Sequence, residues 1–257
     1  MIDPSAVIHP DARLDEGVEV EAYSIVGAGV EIGKGTRIGP HAVIKGPTRI
    51  GRDNHIFQFC SIGDDPQDKK FHGEKESVLE IGDGNTIREY CTINRGTGDG
   101  GGITRVGDDN WIMAYVHIAH DCIVGSHTIF ANNSTLAGHV TIDDYVILGG
   151  FTGVHQFCRI GKHSLTAIAS VVVKDVPPYL IVSGNVAKPS GLNKEGLKRH
   201  NFPADVVSQL RKAYRIIYRK GLILSEALQK LEPTANETEE VAAFVDFIKD
   251  SKRGIVR

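Results

Sequence analysis

The residues best suited to chemistry lie in one stretch, His117-Ile-Ala-His120-Asp121, followed by Gly138-His139 and then His155-Gln156. A histidine beside a carboxylate is the pairing a general base needs. The imidazole takes a proton near neutral pH, and the carboxylate orients the ring and stabilises its charged form. Positions 120 and 138 are eighteen residues apart, as are 121 and 139. If eighteen residues bring the chain back over itself, Gly138 stacks on His120 and leaves a peptide N–H beside an imidazole, a base next to an oxyanion donor. Two other readings share this spacing. Polar turn residues account for many exposed histidines, and His117, His120 and a third histidine could ligate zinc, although the spacing is not specific for a metal.

The element that must position these residues is a repeat. Ile2, Ile8, Leu14, Val20, Val26, Ile32, Ile38, Ile44, Ile50, Ile56 and Ile62 recur every six residues. The register is lost across Gly63 to Val78 and returns at Ile81, Ile87 and Ile93. It breaks again over the glycine-rich stretch 94–103, then runs from Val106 to Val172 with Thr166 the polar exception. A helix of 3.6 residues per turn cannot hold every sixth residue on one face, whereas a short strand plus a turn can. Three such units make a coil of about eighteen residues, so the pattern predicts a parallel β-helix of about eight to nine coils with loops extruded near 63–78 and 94–103. Cys60, Cys91, Cys122 and Cys158 each precede an apex residue by two, in the small inward slot, which predicts four buried, free thiols and a reducing compartment. His9, His41, His55, His127 and His163 have no evident partners in the pattern.

The pattern stops at Lys174-Asp-Val-Pro-Pro-Tyr179, and the chain divides into 1–190, the β-helix, and 191–257, a C-terminal α-helical domain. Asn201 to Asp205 reads as a helix start, with Val206, Leu210, Ala213 and Ile217 on one stripe and Gly221 as the stop. Further helices are expected over Ser225–Leu231 and Glu237–Asp250. A hydrophobic fraction of 41% and a charged fraction of 24% describe a folded soluble chain and exclude disorder. Between Gly191 and Lys220 stand eight basic and two acidic residues, against a net charge of -3 for the whole chain. Such a basic surface on an acidic body suits an acidic protein or a phosphate-bearing small molecule, and no recognised nucleic-acid module accompanies it. No stretch approaches a membrane span or a signal peptide, so a cytoplasmic location is expected.

The loop Gln67-Asp68-Lys69-Lys70-Phe71-His72-Gly73-Glu74 and the runs Ala114–Cys122, Ala131–His139, Val154–Cys158 and Asn193–Arg199 occur in this order along a prism that begins at the N-terminus. In these landmarks the sequence resembles the UDP-N-acetylglucosamine acyltransferases over nearly its whole length. The resemblance implies a left-handed β-helix, a hand the period alone leaves open. It also implies transfer of an (R)-3-hydroxyacyl chain from acyl carrier protein to the 3-hydroxyl of UDP-N-acetylglucosamine, the first step of lipid A biosynthesis. No covalent acyl-enzyme, cofactor or metal is implied, and the assembly implied is a homotrimer with grooves between prisms.

Carried over by the resemblance, His120 matches the general base, Asp121 its partner and the Gly138 amide the oxyanion donor. Gln67, Asp68, Lys70, His117, His139, His155 and Gln156 match residues that contact substrate. Asn193, Glu195 and Arg199 match contacts to uridine and phosphate, with His200 standing where the family usually has a second arginine. Ile168 stands where a glycine admits the longest acyl chains, which implies a chain of about 10–12 carbons, since a stop discriminates length better than about 0.8 kcal/mol per methylene. Arg211, Lys212, Arg215, Arg219 and Lys220 form a basic face able to attract the acidic carrier. The alternatives are another hexapeptide-repeat acyltransferase, such as the later N-acyltransferase of the same pathway, which carries a domain before its prism, and a non-catalytic scaffold.

Overall fold

The computed structural model describes residues 1–74 and 77–257; residues 75 and 76, inside the first expected loop, lie outside the described residues. Two-residue strands at the six-residue period stack into three parallel sheets. The first face runs from Val7–Ile8 to Val171–Val172, the second from Arg13–Leu14 to Arg159–Ile160, and the third from Glu19–Val20 onward to Leu165–Thr166. Neighbouring rungs are eighteen residues apart, as in Val7 with Ile25 and His117 with Thr135. Where the loops leave the prism, the same rungs pair Ile62 with Ile93 and Ile93 with Ile118. The insertions are therefore looped out without disturbing the stack, because each strand is defined by its own inward apolar residue.

Ile38, Ile56, Ile87, Ile112, Phe130 and Leu148 form one interior column, all fully buried. Each such side chain contributes about 1.5–3 kcal/mol, so a strand of two residues is stable only because its neighbours above and below complete the column. All four cysteines are buried and free.

The corners carry a feature absent from the sequence reading. The third residue after most apex positions has a positive φ, and at Tyr23, His41, Phe59, Tyr90 and Tyr115 that residue is an aromatic or a histidine. A left-handed backbone costs a non-glycine residue about 1–2 kcal/mol. Stacking between successive coils offsets part of this, by about 0.5–1.5 kcal/mol per aromatic pair. The histidines without evident partners are therefore reassigned. His41 stacks between Tyr23 and Phe59, His55 on Phe57, and His127 on Tyr145. His163 lies between Tyr145 and Tyr179, and His9 accepts the Asp11 N–H. For His41, His127 and His163 the stacking partner is about a coil away, which pattern reading along the chain does not reveal, whereas His55 and His9 pair with residues two positions on.

Burial, reinforced by the neighbouring His200 and Lys162, pushes the His163 imidazole down to about 4. Its folded value thus lies below its unfolded one, so it contributes stability above about pH 6.5 that is lost as pH falls towards 4. His163→Phe, which keeps a stacking ring, is expected to flatten the decline of the thermal midpoint between pH 6.5 and 4. An unchanged decline would remove His163 as its source.

Beyond the prism an antiparallel hairpin, Leu180–Ser183 with Lys188–Leu192, closes the third face. Four helices follow, α1 (Lys194–Arg199), α2 (Ala204–Arg219), α3 (Leu224–Glu237) and α4 (Glu239–Lys249). In α2, Leu210, Ala213 and Ile217 are buried and Gly221 follows with φ +66. Helix α1 was not expected. Helix α3 runs past Leu231 through Pro233, where the lost N–H bond and the ring's clash with the preceding turn are offset by Leu231 and Ala235 on either side packing against the core. No helix among the described residues is long and apolar enough to cross a membrane.

Candidate active site

His117 and Ile118 form a strand of the first face, and His120-Asp121 is the turn that follows. His120 is 9% exposed, its Nδ1 lying 2.7 Å from Asp121 Oδ2. A carboxylate oxygen only accepts, so the network assigns the proton to Nδ1 and leaves the Nε2 lone pair free. Asp121 is held in turn: its carboxylate accepts the Thr97 N–H at 2.9 Å and the Thr97 hydroxyl at 2.7 Å, and its own N–H donates to Thr104 Oγ1 at 2.8 Å. The glycine-rich loop thus closes over the carboxylate. A Cβ on Gly100 would meet Asp121 Oδ2, so this close approach requires glycine.

One coil later the imidazole lies against Gly138. A Cβ placed there would sit 2.5 Å from His120 Cε1 and 2.7 Å from Nε2. The residues around it are tied into the coil, Ala137 N–H to Val154 O and His139 N–H to His120 O, while among the described residues nothing accepts the Gly138 N–H. The reason is general to the repeat. Pro4, Pro10 and Pro40 occupy the same slot, two residues past an apex, and proline has no N–H to give. The ladder does not use that donor, so at Gly138 it remains available beside the base.

His139 stands edge-on to His120 at 5.2 Å and stacks on Phe157. Burial holds its imidazole below the ordinary histidine value, against the pull of Asp121. Burial, with the neighbouring His120, does the same for His117, whose Nδ1 is 2.7 Å from Thr92 Oγ1. Beside this group opens a cleft of about 300 Å³ to which Asp68, Lys70, His139 and Gln156 contribute, together with Phe71, Glu74, Thr97 and Phe157. A larger concavity of about 570 Å³ lies along the second face, where Arg13, Glu31, Arg49, Glu80 and Arg105 alternate in sign up the ladder; it holds none of the expected site residues.

The sequence of the whole chain is 56% identical over 256 residues to an acyl-[acyl-carrier-protein]–UDP-N-acetylglucosamine O-acyltransferase of Thiobacillus denitrificans, covering 100% of this chain and 99% of that one. Family profiles match as Udp N-acetylglucosamine O-acyltransferase, domain 2, over 175–256 and as bacterial transferase hexapeptide over 11–46 and 103–138. The chain belongs to the UDP-N-acetylglucosamine acyltransferase family. The crystal structure of the Francisella novicida UDP-N-acetylglucosamine acyltransferase superposes with a TM-score of 0.98 at 45% identity, covering 100% of this chain and 94% of that one. The Moraxella catarrhalis UDP-N-acetylglucosamine O-acyltransferase gives 0.97 at 46%, covering 100% and 99%. The prism is the left-handed β-helix of this family, with helices after it.

Within this acyltransferase fold the expected site residues fall on three different corners. His117, His120, Asp121, Gly138, His139, His155 and Gln156 share the corner between the first and second faces, and the loop carrying Asp68 and Lys70 reaches it. Gln67 is exposed and does not line the cleft. Glu195 and Arg199 are exposed on α1, beside the corner between the second and third faces. Asn193 is 4% exposed and its amide is occupied, Oδ1 accepting the Gly196 N–H and Nδ2 donating to His163 O, so it anchors α1 to that corner. Ile168, 72% exposed, sits on the remaining corner.

Sequence reasoning missed Thr92, Thr97, Thr104, Gly100, Phe71 and Phe157. Thr92 was findable, since it lies one rung before His117 once the second loop is subtracted. Thr97 and Gly100 were not, because the period says nothing about chain outside the coil. Ligand atoms of His120, Asp121 and His139 lie within 4.8 Å of one another and could hold a divalent ion, a different set from the one the spacing suggested.

Proposed function

We propose that this chain transfers an (R)-3-hydroxyacyl group from acyl carrier protein to the 3-hydroxyl of UDP-N-acetylglucosamine with His120 as general base. The observation that carries this reading is the imidazole held through Nδ1 by Asp121, with its free Nε2 packed on the side-chain side of Gly138, whose N–H has no acceptor among the described residues. The sugar hydroxyl gives its proton to Nε2 as its oxygen bonds to the thioester carbon. The Gly138 N–H stabilises the tetrahedral oxyanion. Collapse breaks the carbon–sulfur bond, and the proton on Nε2 passes to the departing pantetheine sulfur, so base and oxyanion donor return to their starting state. No acyl-enzyme forms. His117 and His139, kept neutral by burial, are suited to donate or accept single hydrogen bonds to the sugar.

The distribution of residues over three corners supports the homotrimer. One prism offers the base at one corner, Glu195 and Arg199 beside the second and Ile168 on the third, so a groove containing all of them needs neighbouring subunits. The corner bearing Ile168 also exposes Tyr23, Phe59, Tyr90, Tyr115 and Phe151, a row of large apolar side chains of the kind that marks an interaction surface. Exposed Arg211, Lys212, Arg215, Arg219 and Lys220 on and just after α2 supply the face for the acidic carrier. The four free thiols agree with work in the cytoplasm.

The test is consumption of acyl carrier thioester on addition of UDP-N-acetylglucosamine, followed by free thiol release with chromatographic identification of the acylated sugar nucleotide. Thiol release without that product, or none at all, would end this reading. Graded acyl chains test Ile168. About 10–12 carbons should be preferred over fourteen, and Ile168→Gly should move the optimum to longer chains, each added methylene gaining about 0.8 kcal/mol of burial once the stop is gone. An optimum that stays put would place the stop elsewhere.

A further inference from the structure

Past His139 and Phe157 the catalytic corner continues into a second cleft, of about 520 Å³, whose far wall carries Arg159, Lys252 and Arg253. One buried carboxylate builds this wall. Asp175, 1% exposed, accepts the Arg159 N–H through Oδ1 at 2.9 Å and the Ser251 hydroxyl through Oδ2 at 2.7 Å. Its backbone N–H donates to Gly254 O and its carbonyl accepts the Val256 N–H, so the segment after α4 is strapped to the prism with Lys252 and Arg253 facing the cleft. The Arg159 guanidinium is fixed 4.6 Å above the Phe247 ring, and an Arg253 Nη lies 3.3 Å from His155 Nδ1. Each Asp175 carboxylate oxygen accepts one of these bonds. Among the described residues none of the three cations has a carboxylate partner within 4 Å, Asp250 in the same cleft included.

Three cations that make no ion pair within 4 Å among the described residues, in a concave wall they share with Asp175 and Asp250 and with Asp143 acting on Arg159, outnumber the cleft's carboxylates and form a site for a phosphate-bearing part of a substrate. We infer that Arg159, Lys252 and Arg253 hold the phosphate of the carrier's phosphopantetheine arm, an inference that rests on the acyl-carrier reading above. The arm joins a thioester, which must lie at His120 and Gly138, to a phosphodiester next to the carrier. The second cleft leads from that thioester position towards the same C-terminal unit that bears the basic α2 face. The nucleotide diphosphate has other cations available, Lys70 in the first cleft and Arg199 on α1.

The experiment compares acyl-phosphopantetheine with acyl-pantetheine as carrier-free donors for the trimeric enzyme and its R159Q/K252Q/R253Q variant. In the parent protein kcat/KM should favour the phosphorylated donor at least tenfold, and in the variant that ratio should fall towards one. An R159K/R253K variant, which keeps the charge, should retain most of the ratio and shows that the fold tolerates changes at these positions. Calorimetric titration with phosphopantetheine itself, which needs no turnover, should show at least tenfold weaker binding to the triple variant. A ratio unmoved by the triple substitution, equal binding to both proteins, or a rise confined to the KM for UDP-N-acetylglucosamine overturns the assignment. Absence of turnover with every donor, accompanied by the expected difference in phosphopantetheine binding, would instead sink the catalytic reading and leave the anion site standing.

Discussion

Replacing His120 by alanine lowers kcat by at least about 10²-fold, and up to about 10⁴-fold, the usual contribution of a positioned general base. The prism stays folded. The ring is outside the apolar column, and Asp121 keeps the Thr97 N–H and hydroxyl after losing its third partner. The lost interaction is made as the hydroxyl proton moves, so kcat and kcat/KM fall together while the KM for UDP-N-acetylglucosamine changes little. Steady-state turnover with acyl carrier thioester, beside a thermal melt, checks both halves. Turnover within a few-fold of the parent protein would withdraw His120 as the base and with it the central claim of the mechanism.

A substitution that removes no functional group is expected to be almost as damaging. Gly138→Ala keeps the peptide N–H, and Gly138 does not have a left-handed φ, so alanine fits the backbone. Its methyl, however, would lie 2.5 Å from His120 Cε1, 2.7 Å from Nε2 and 3.1 Å from Nδ1. The imidazole must tilt away, and its 2.7 Å bond to Asp121 is stretched or bent. A misplacement of about 1 Å at a reacting group costs about 10²-fold, which is the expected loss in kcat. The double variant discriminates this cause from a general disturbance. In a His120→Ala background there is no ring to displace, so Gly138→Ala should cost far less than it does alone. Equal losses in both backgrounds would mean that the glycine acts independently of the histidine.

These two expectations draw on different sources. That His120 and Gly138 meet was legible from their separation of one coil. That they meet ring against Cα, close enough for one methyl to dislodge the base, is a matter of side-chain direction. The open donor at Gly138 lies between these cases, because the prolines at 4, 10 and 40 record in the sequence that the slot needs no N–H, yet the coil geometry is required to see why. The histidine–aromatic ladders show the limit of reading along the chain. Tyr145 and His163 look like isolated turn residues in sequence and become stacking partners only when the coils close.

The sequence by itself determined the coil length, though not its hand, since an inward aliphatic residue every six positions predicts threefold coiling, and coiling then fixes which residues are neighbours up the prism. It also marked where the winding is interrupted. Only the tertiary structure decided what the interruptions do. Thr97 and Gly100 reach back over Asp121, and Asp175 straps the terminal segment so that Lys252 and Arg253 face a cleft begun by His139. The physical reason is that periodic burial constrains neighbours one rung apart. A loop or strap held by a few directed hydrogen bonds leaves no period behind, and its position depends on contacts with residues distant along the chain.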